Sequence, residues 1–195
     1  MSNYWQDRMA AAQTALSNKS IKQVEKQLRK YYLTAAKRCI ADFESTYNKI
    51  LATQAEGKQP TPADLYKLDK YWKAQGQLKQ ELQKLGNKTI KYLSVMFEYN
   101  FFEVYYGIAL KGSKSFNTVS KEAARQLINS IWVADGKTWS QRIWGNIDKL
   151  AETLNEELVH CVITGKKTTE LKKILQERFS VSYHWADSLV RTEIA

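Results

Sequence analysis

The side chains best suited to chemistry include two histidines and two cysteines, and one of each falls together with a carboxylate at Glu157, His160 and Cys161. Glu157-Leu158-Val159-His160 has the Glu-x-x-His spacing of a di-iron bundle, a site that needs the motif twice together with further carboxylates. Val181, Ser182 and Tyr183 precede His184, so the second copy is missing. His160 and Cys161 are neighbours, and neighbouring helical residues point about 100° apart. They cannot easily chelate one ion or form a nucleophile and its base. Elsewhere there is no glycine-rich phosphate loop, no nucleophile elbow and no zinc-type cysteine pair. The expectation is a chain with no metal, no cofactor and no catalytic residue.

Cationic chemistry is abundant. The 195 residues carry 30 Lys and Arg against 20 Asp and Glu, a formal charge of +10. Residues 1–90 hold an excess of eight positive charges and residues 91–195 an excess of two. Such asymmetry suggests two surfaces with different partners, one of them a polyanion. Placed on a helical wheel, Lys19, Lys22, Lys26, Arg29, Lys30 and Lys37 fall within an arc of about 100°. Ile21, Val24, Leu28, Tyr31, Ala35 and Cys39 occupy the opposite arc. Lys70, Lys73 and Lys84 repeat the design, facing away from Leu68, Trp72, Leu78 and Leu82, although Lys67 and Lys79 fall off this second stripe. A row of cations neutralises phosphates and releases counterions without reading bases. A merely solvated face usually mixes signs, so the lysine excess points to non-specific DNA or RNA binding. No zinc-finger spacing, RNA-binding aromatic signature or zipper behind a basic region argues for sequence readout.

These stripes need long helices to carry them. Eight Gly and two Pro are few for this length, no alternating strand pattern stands out, and apolar residues make up 44%. The pattern predicts an all-α protein. A short helix is expected over Asn3–Leu16, then a long one from Ile21 to about Ala55, capped by Ser17, Asn18 or Ser20 and ended by Gly57 to Pro60. Thr61-Pro62-Ala63-Asp64 reads as a helix start and Gly86-Asn87 as a C-cap or kink. A more hydrophobic helix follows from Thr89 to about Leu110. Together these make an elongated helical hairpin or bundle over residues 1–112. Shorter helices then build a compact subdomain over 113–195: Ser120–Trp132 capped by Asn117 or Thr118, Thr138–Thr164 closed by Gly165, one from Thr168 or Thr169 to Phe179, and a last one capped by Ser182.

Tyr92, Phe97, Tyr99, Phe101, Phe102, Tyr105 and Tyr106 crowd one segment but do not share one side of the wheel. They read as packing, within the fold or against another chain, rather than as a base-stacking platform. The longest apolar passage, 99–110, is broken by Asn100 and Glu103 and is too short to span a bilayer. The first residues lack a charged start and apolar core, so no secretory signal is read there. Cys39 and Cys161 read as reduced, core-type thiols.

In the last third, Trp139-Ser140-Gln141-Arg142-Ile143-Trp144, Asn146, Leu150, Leu154, Ile163-Thr164-Gly165, Glu170 to Leu175 with Phe179, and Ala186-Asp187-Ser188-Leu189-Val190-Arg191-Thr192-Glu193 follow one another. This ordered set resembles the phage head morphogenesis family, the minor head or minor capsid proteins of the Mu F type. Asn3-Tyr4-Trp5-Gln6-Asp7-Arg8 and the long basic helices also look like the front of such proteins from phages of Gram-positive bacteria. The resemblance implies a few-copy capsid protein associated with the portal and other head proteins, needed for head assembly, DNA packaging or delivery. It implies residence in the virion, with host cytoplasm as the site of assembly, and DNA as a partner. Self-association is a further expectation; a membrane partner is not. Trp139, Arg142, Trp144, Gly165, Arg191, Thr192 and Glu193 would be its structural motif residues, with no catalytic residue to carry over. Because the run through Arg191-Thr192-Glu193 contains no stop signal, a longer polypeptide is also expected. Two other readings stay open: a non-catalytic leader of a longer phage-derived toxin, or a general helical nucleic-acid-binding or membrane-surface protein.

Overall fold

The computed structural model describes residues 3–53, 61, 66, 69–112, 118–131 and 134–194. All regular structure among them is helical: α1 (Asn3–Thr53), α2 (Asp69–Gly112), α3 (Lys121–Ile128), α4 (Trp139–Ile163) and α5 (Thr168–Ile194). Two long helices are followed by smaller ones, so the all-α fold class read from the sequence is the observed one.

Cross-helix contacts fix the topology. Glu25 meets Arg191, Tyr32 meets Tyr183, and Asn48 meets Thr168, so α1 and α5 run antiparallel. Arg38–Glu81 and the edge-on pair Tyr31–Tyr92 set α1 antiparallel to α2. Phe97–Trp139 and Tyr71–Asn155 do the same for α2 and α4, and Arg142–Glu193 and Arg178–Glu157 for α4 and α5. Tyr32–Asn146 and Tyr47–Cys161 show α1 and α4 running parallel across the diagonal. The result is an up-down-up-down four-helix bundle in the order α1, α2, α4, α5, with the short α3 between α2 and α4. One buried cluster runs through all four long elements, from Val24 to Ile50, Tyr71 to Phe97, Trp139 to Val162 and Leu171 to Val190.

Residue spacing explains the packing. Trp139, Ile143, Ile147, Leu150, Leu154, Leu158 and Cys161 are the inward side of α4, at steps of four, four and three. The mean step of about 3.67 tracks the 3.6-residue turn more closely than a heptad does, so the stripe stays on one side along the whole helix. Thr138 begins α4 with a capping box: its hydroxyl accepts from the Gln141 backbone N–H, and its own N–H donates to the Gln141 side chain. Gly165 lies at φ +63°, the left-handed position expected of a residue that ends a helix.

Several boundaries differ from expectation. No break separates Leu16 from Ile21: α1 is one helix of 51 residues. No Gly or Pro interrupts residues 3–53, and Ser20 is buried by packing rather than capping. Likewise α5 runs unbroken through Ser182, whose carbonyl accepts from the Asn146 amide at 2.9 Å. Ser120 caps α3, its hydroxyl accepting from the Ala123 N–H; Thr118 does not, and Asn117 lies outside the described residues. The chain turn expected at 57–60 and most of the start expected at 61–64 also lie outside them. Gly86-Asn87 neither ends nor caps a helix, because α2 passes straight through. Gly86 is instead where the Trp144 ring reaches the α2 backbone; a Cβ there would stand 2.4 Å from it. Tyr71, not Trp72, takes the core position at the start of α2, leaving Trp72 57% exposed with its indole N–H on the Tyr66 carbonyl.

Tyr47 locks the α4–α5 turn to α1. Its buried hydroxyl is shared between the carbonyls of Cys161 (2.9 Å) and Lys166, and burial pushes its pKa up to about 12. Removing that hydroxyl leaves both acceptors without it. Tyr47→Phe is expected to cost about 1–3 kcal/mol in urea unfolding, with an unchanged m-value.

Candidate polyanion-binding face

The outer side of α1 carries the first basic stripe. Lys19, Lys22, Lys26, Arg29, Lys30 and Lys37 are all exposed, and Lys26, Arg29, Lys30 and Lys37 border one shallow surface depression together with Leu33 and Thr34. Among the described residues none of these six cations forms an ion pair. Between residues 18 and 41 there is one carboxylate, Glu25, and Arg191 of α5 reaches it at 3.2 Å. At about 1.5 Å per residue, the stripe from Lys19 to Lys37 is about 27 Å long.

The second stripe is weaker. Lys73 is exposed, and the side chain of Lys70 lies outside the described residues. Lys84 is held by Glu81 at 2.7 Å, and Glu81 also binds Arg38 of α1 at 3.2 Å. A carboxylate therefore stands at the α1–α2 junction, between the two basic stripes. The uncompensated positive face is that of α1. Lys84 and Arg38 together hold the Glu81 carboxyl below its ordinary 4.5, hydrogen bonding by Lys84 being the largest cause. A carboxylate with a lowered folded pKa stabilises the protein above its unfolded value, and that stabilisation fades as pH falls through the folded one. Stability is therefore expected to drop below about pH 4.5. Glu81→Gln should flatten that part of the urea midpoint–pH curve.

The C-terminal motif residues serve the bundle. Trp139 packs edge-on against Phe97 at 5.0 Å, its indole N–H donating to Asn129. Trp144 covers Gly86. Arg142 clasps Asp135 in the turn before α4 through two hydrogen bonds (3.0 and 2.8 Å) and reaches Glu193 at 3.5 Å. Burial raises the Glu193 carboxyl above its usual range, and Arg142 opposes that shift. Arg191 pairs with Asp187 and Glu25, and Thr192 donates to the Ser188 carbonyl. Arg191 and Glu193, two apart on the helix, thus find different partners, which their divergent directions require. Glu157 is occupied by Arg178, His160 is exposed, and Cys161 is buried, so this trio does not converge. Cys39 is buried as well, its pKa pushed up to about 12 by burial first and by Glu81 and Asp42 next. Among the described residues no group of three or more His, Cys, Asp or Glu is placed to hold a metal, and no helix is long and apolar enough to cross a membrane.

The aromatic segment is divided. Phe97 is buried in the core, Phe101 stacks on Tyr105 and Phe102 on Tyr106, while Tyr99 stays exposed. Sequence reasoning missed Leu33, which lies within the basic arc of α1 and is exposed. Its place on the wheel, between Arg29 and Lys37, was the available signal.

Comparison with family models, with curated proteins and with solved structures finds no significant match.

Proposed function

We propose that this protein is a non-catalytic minor head component of a phage particle that holds DNA without sequence preference along the outer side of α1. The observation that supports the DNA part is the composition of that face: six exposed Lys and Arg with no ion-pair partner among the described residues, and Glu25, the one carboxylate between residues 18 and 41, already held by Arg191. Such a surface neutralises phosphates along a line and makes no contact that distinguishes bases. Support for the phage-head part is the ordered set of residues from Trp139 to Glu193 and its resemblance to minor head proteins. Those side chains hold α4 and α5 in the bundle, so they act as scaffold and the cations of α1 act as the binding surface. Portal association would join that scaffold to the particle.

Two measurements test the reading. Fluorescence anisotropy with unrelated duplexes should give equal affinities that fall steeply with salt. Engagement of four to six phosphates predicts a log–log slope of about −4 to −5. Salt-insensitive binding, or strong preference for one duplex, overturns the DNA part. Failure of the protein to copurify with the portal in assembled particles overturns the head part.

A further inference from the structure

We infer that the cleft between α1 and α5 is a docking groove for an acidic amphipathic helix of a partner protein. The cleft holds about 420 Å³. Its floor is carbon: Tyr32, Ala36 and Ile40 of α1 against Phe179 and Tyr183 of α5. Arg29, Lys37 and His184 stand on its rim beside the neutral Gln176 and Ser180. The lining carboxylate, Glu25, is drawn off by Arg191 at one end. Leu33 forms the wall and is 53% exposed, in the middle of the basic arc.

That leucine decides the chemistry of the occupant. A surface built only for phosphates gains nothing from an exposed leucine among its cations, and a bound DNA backbone would leave Leu33 wet. Base stacking does not fit either, because the rings of Tyr32, Phe179 and Tyr183 are 2%, 3% and 9% exposed and offer no open face. The cleft asks for apolar side chains with carboxylates on the flank that faces α1. A helix supplies them: residues at i, i+3, i+4 and i+7 enter the seam between two antiparallel helices, and flanking acids meet Arg29 and Lys37. The α1 lining from Glu25 to Ile40 is about 22 Å long, which matches a helix of about four turns. This groove shares Arg29 and Lys37 with the DNA-facing stripe but adds an apolar contribution from Leu33 that phosphates do not use, so Leu33→Ser separates the two.

The test uses two synthetic 18-residue peptides of identical composition, Leu and Glu. One gathers the leucines on one helical face, and the other scatters them around the wheel. Anisotropy at physiological salt should show the amphipathic isomer binding at least tenfold tighter. Leu33→Ser, which changes no charge, should weaken that isomer at least fivefold while altering duplex DNA affinity less than twofold. Amide shift changes in a nitrogen–proton spectrum should fall on residues 29–40 and 176–184. Equal binding of the isomers, or indifference to Leu33→Ser, overturns the proposal. So does tight, Leu33-dependent binding of phosphatidylglycerol vesicles with no isomer preference, which would assign the groove to a membrane surface. Loss of DNA binding with the isomer preference intact would overturn the DNA reading and leave the groove standing.

Discussion

Gly86→Val is expected to destabilise the protein by about 3 kcal/mol and to lower its melting temperature by about 6–12 °C. A Cβ at this position would lie 2.4 and 2.7 Å from two atoms of the Trp144 ring and 3.0 Å from a third. The indole is rigid and sits between α2 and α4, so it can retreat only by moving one helix from the other. Interiors at near-crystalline density resist such shifts. Two comparisons isolate the cause. Nothing lies within 4 Å of a Cβ built at Gly76, on the same helix, so Gly76→Ala should stabilise by about 0.5–1 kcal/mol through its helix preference alone. Trp144→Leu should remove most of the Gly86→Val penalty, giving a double mutant more stable than the sum of its parts. A simple additive result would show that the close approach of α2 and α4 is not what glycine serves there. Differential scanning calorimetry reads the four variants against the unsubstituted protein.

Reversing three lysines, Lys22→Glu, Lys26→Glu and Lys30→Glu, is expected to weaken duplex DNA binding by about two to three orders of magnitude near 0.1 M salt. Losing three phosphate contacts also makes the log–log salt slope shallower by about 2.7. These side chains are exposed and have no ion-pair partner among the described residues, so the fold should be indifferent to them. An unchanged circular dichroism melt is the check. Lys73→Glu on α2 should have a far smaller effect, because the surface there is already divided by the Arg38–Glu81–Lys84 group. Equal losses from α1 and α2 would mean that the polyanion crosses the carboxylate at their junction, contrary to the face assigned above.

How much of this was legible in the sequence varies with the physics involved. The lysine arc of α1 was readable because a helical wheel needs only residue spacing, and exposure follows from what lies opposite. Helix ends marked by several agreeing residues were readable too, as at Thr138 with Gln141 and at Gly165. Ser20 and Ser182 misled because a serine is a good cap only where packing leaves the helix end free, and here neighbouring helices bury both. Gly86 misled for a related reason: its role is set by a tryptophan 58 residues away in the chain, which local pattern cannot reveal. Glu81 was invisible as a partner of Arg38 until α1 and α2 were brought side by side. Leu33 was on the wheel from the start, and the cleft that gives it meaning exists only once α5 lies against α1.

The ring order of the bundle has an electrical consequence. Each long helix lies beside two antiparallel neighbours, so the backbone macrodipoles oppose one another pairwise and largely cancel at a distance. Neither end of the bundle then offers a strong field of its own. What an approaching anionic polymer feels is set by side chains along the flank of α1, which favours its lying lengthwise on the rod over meeting it end-on.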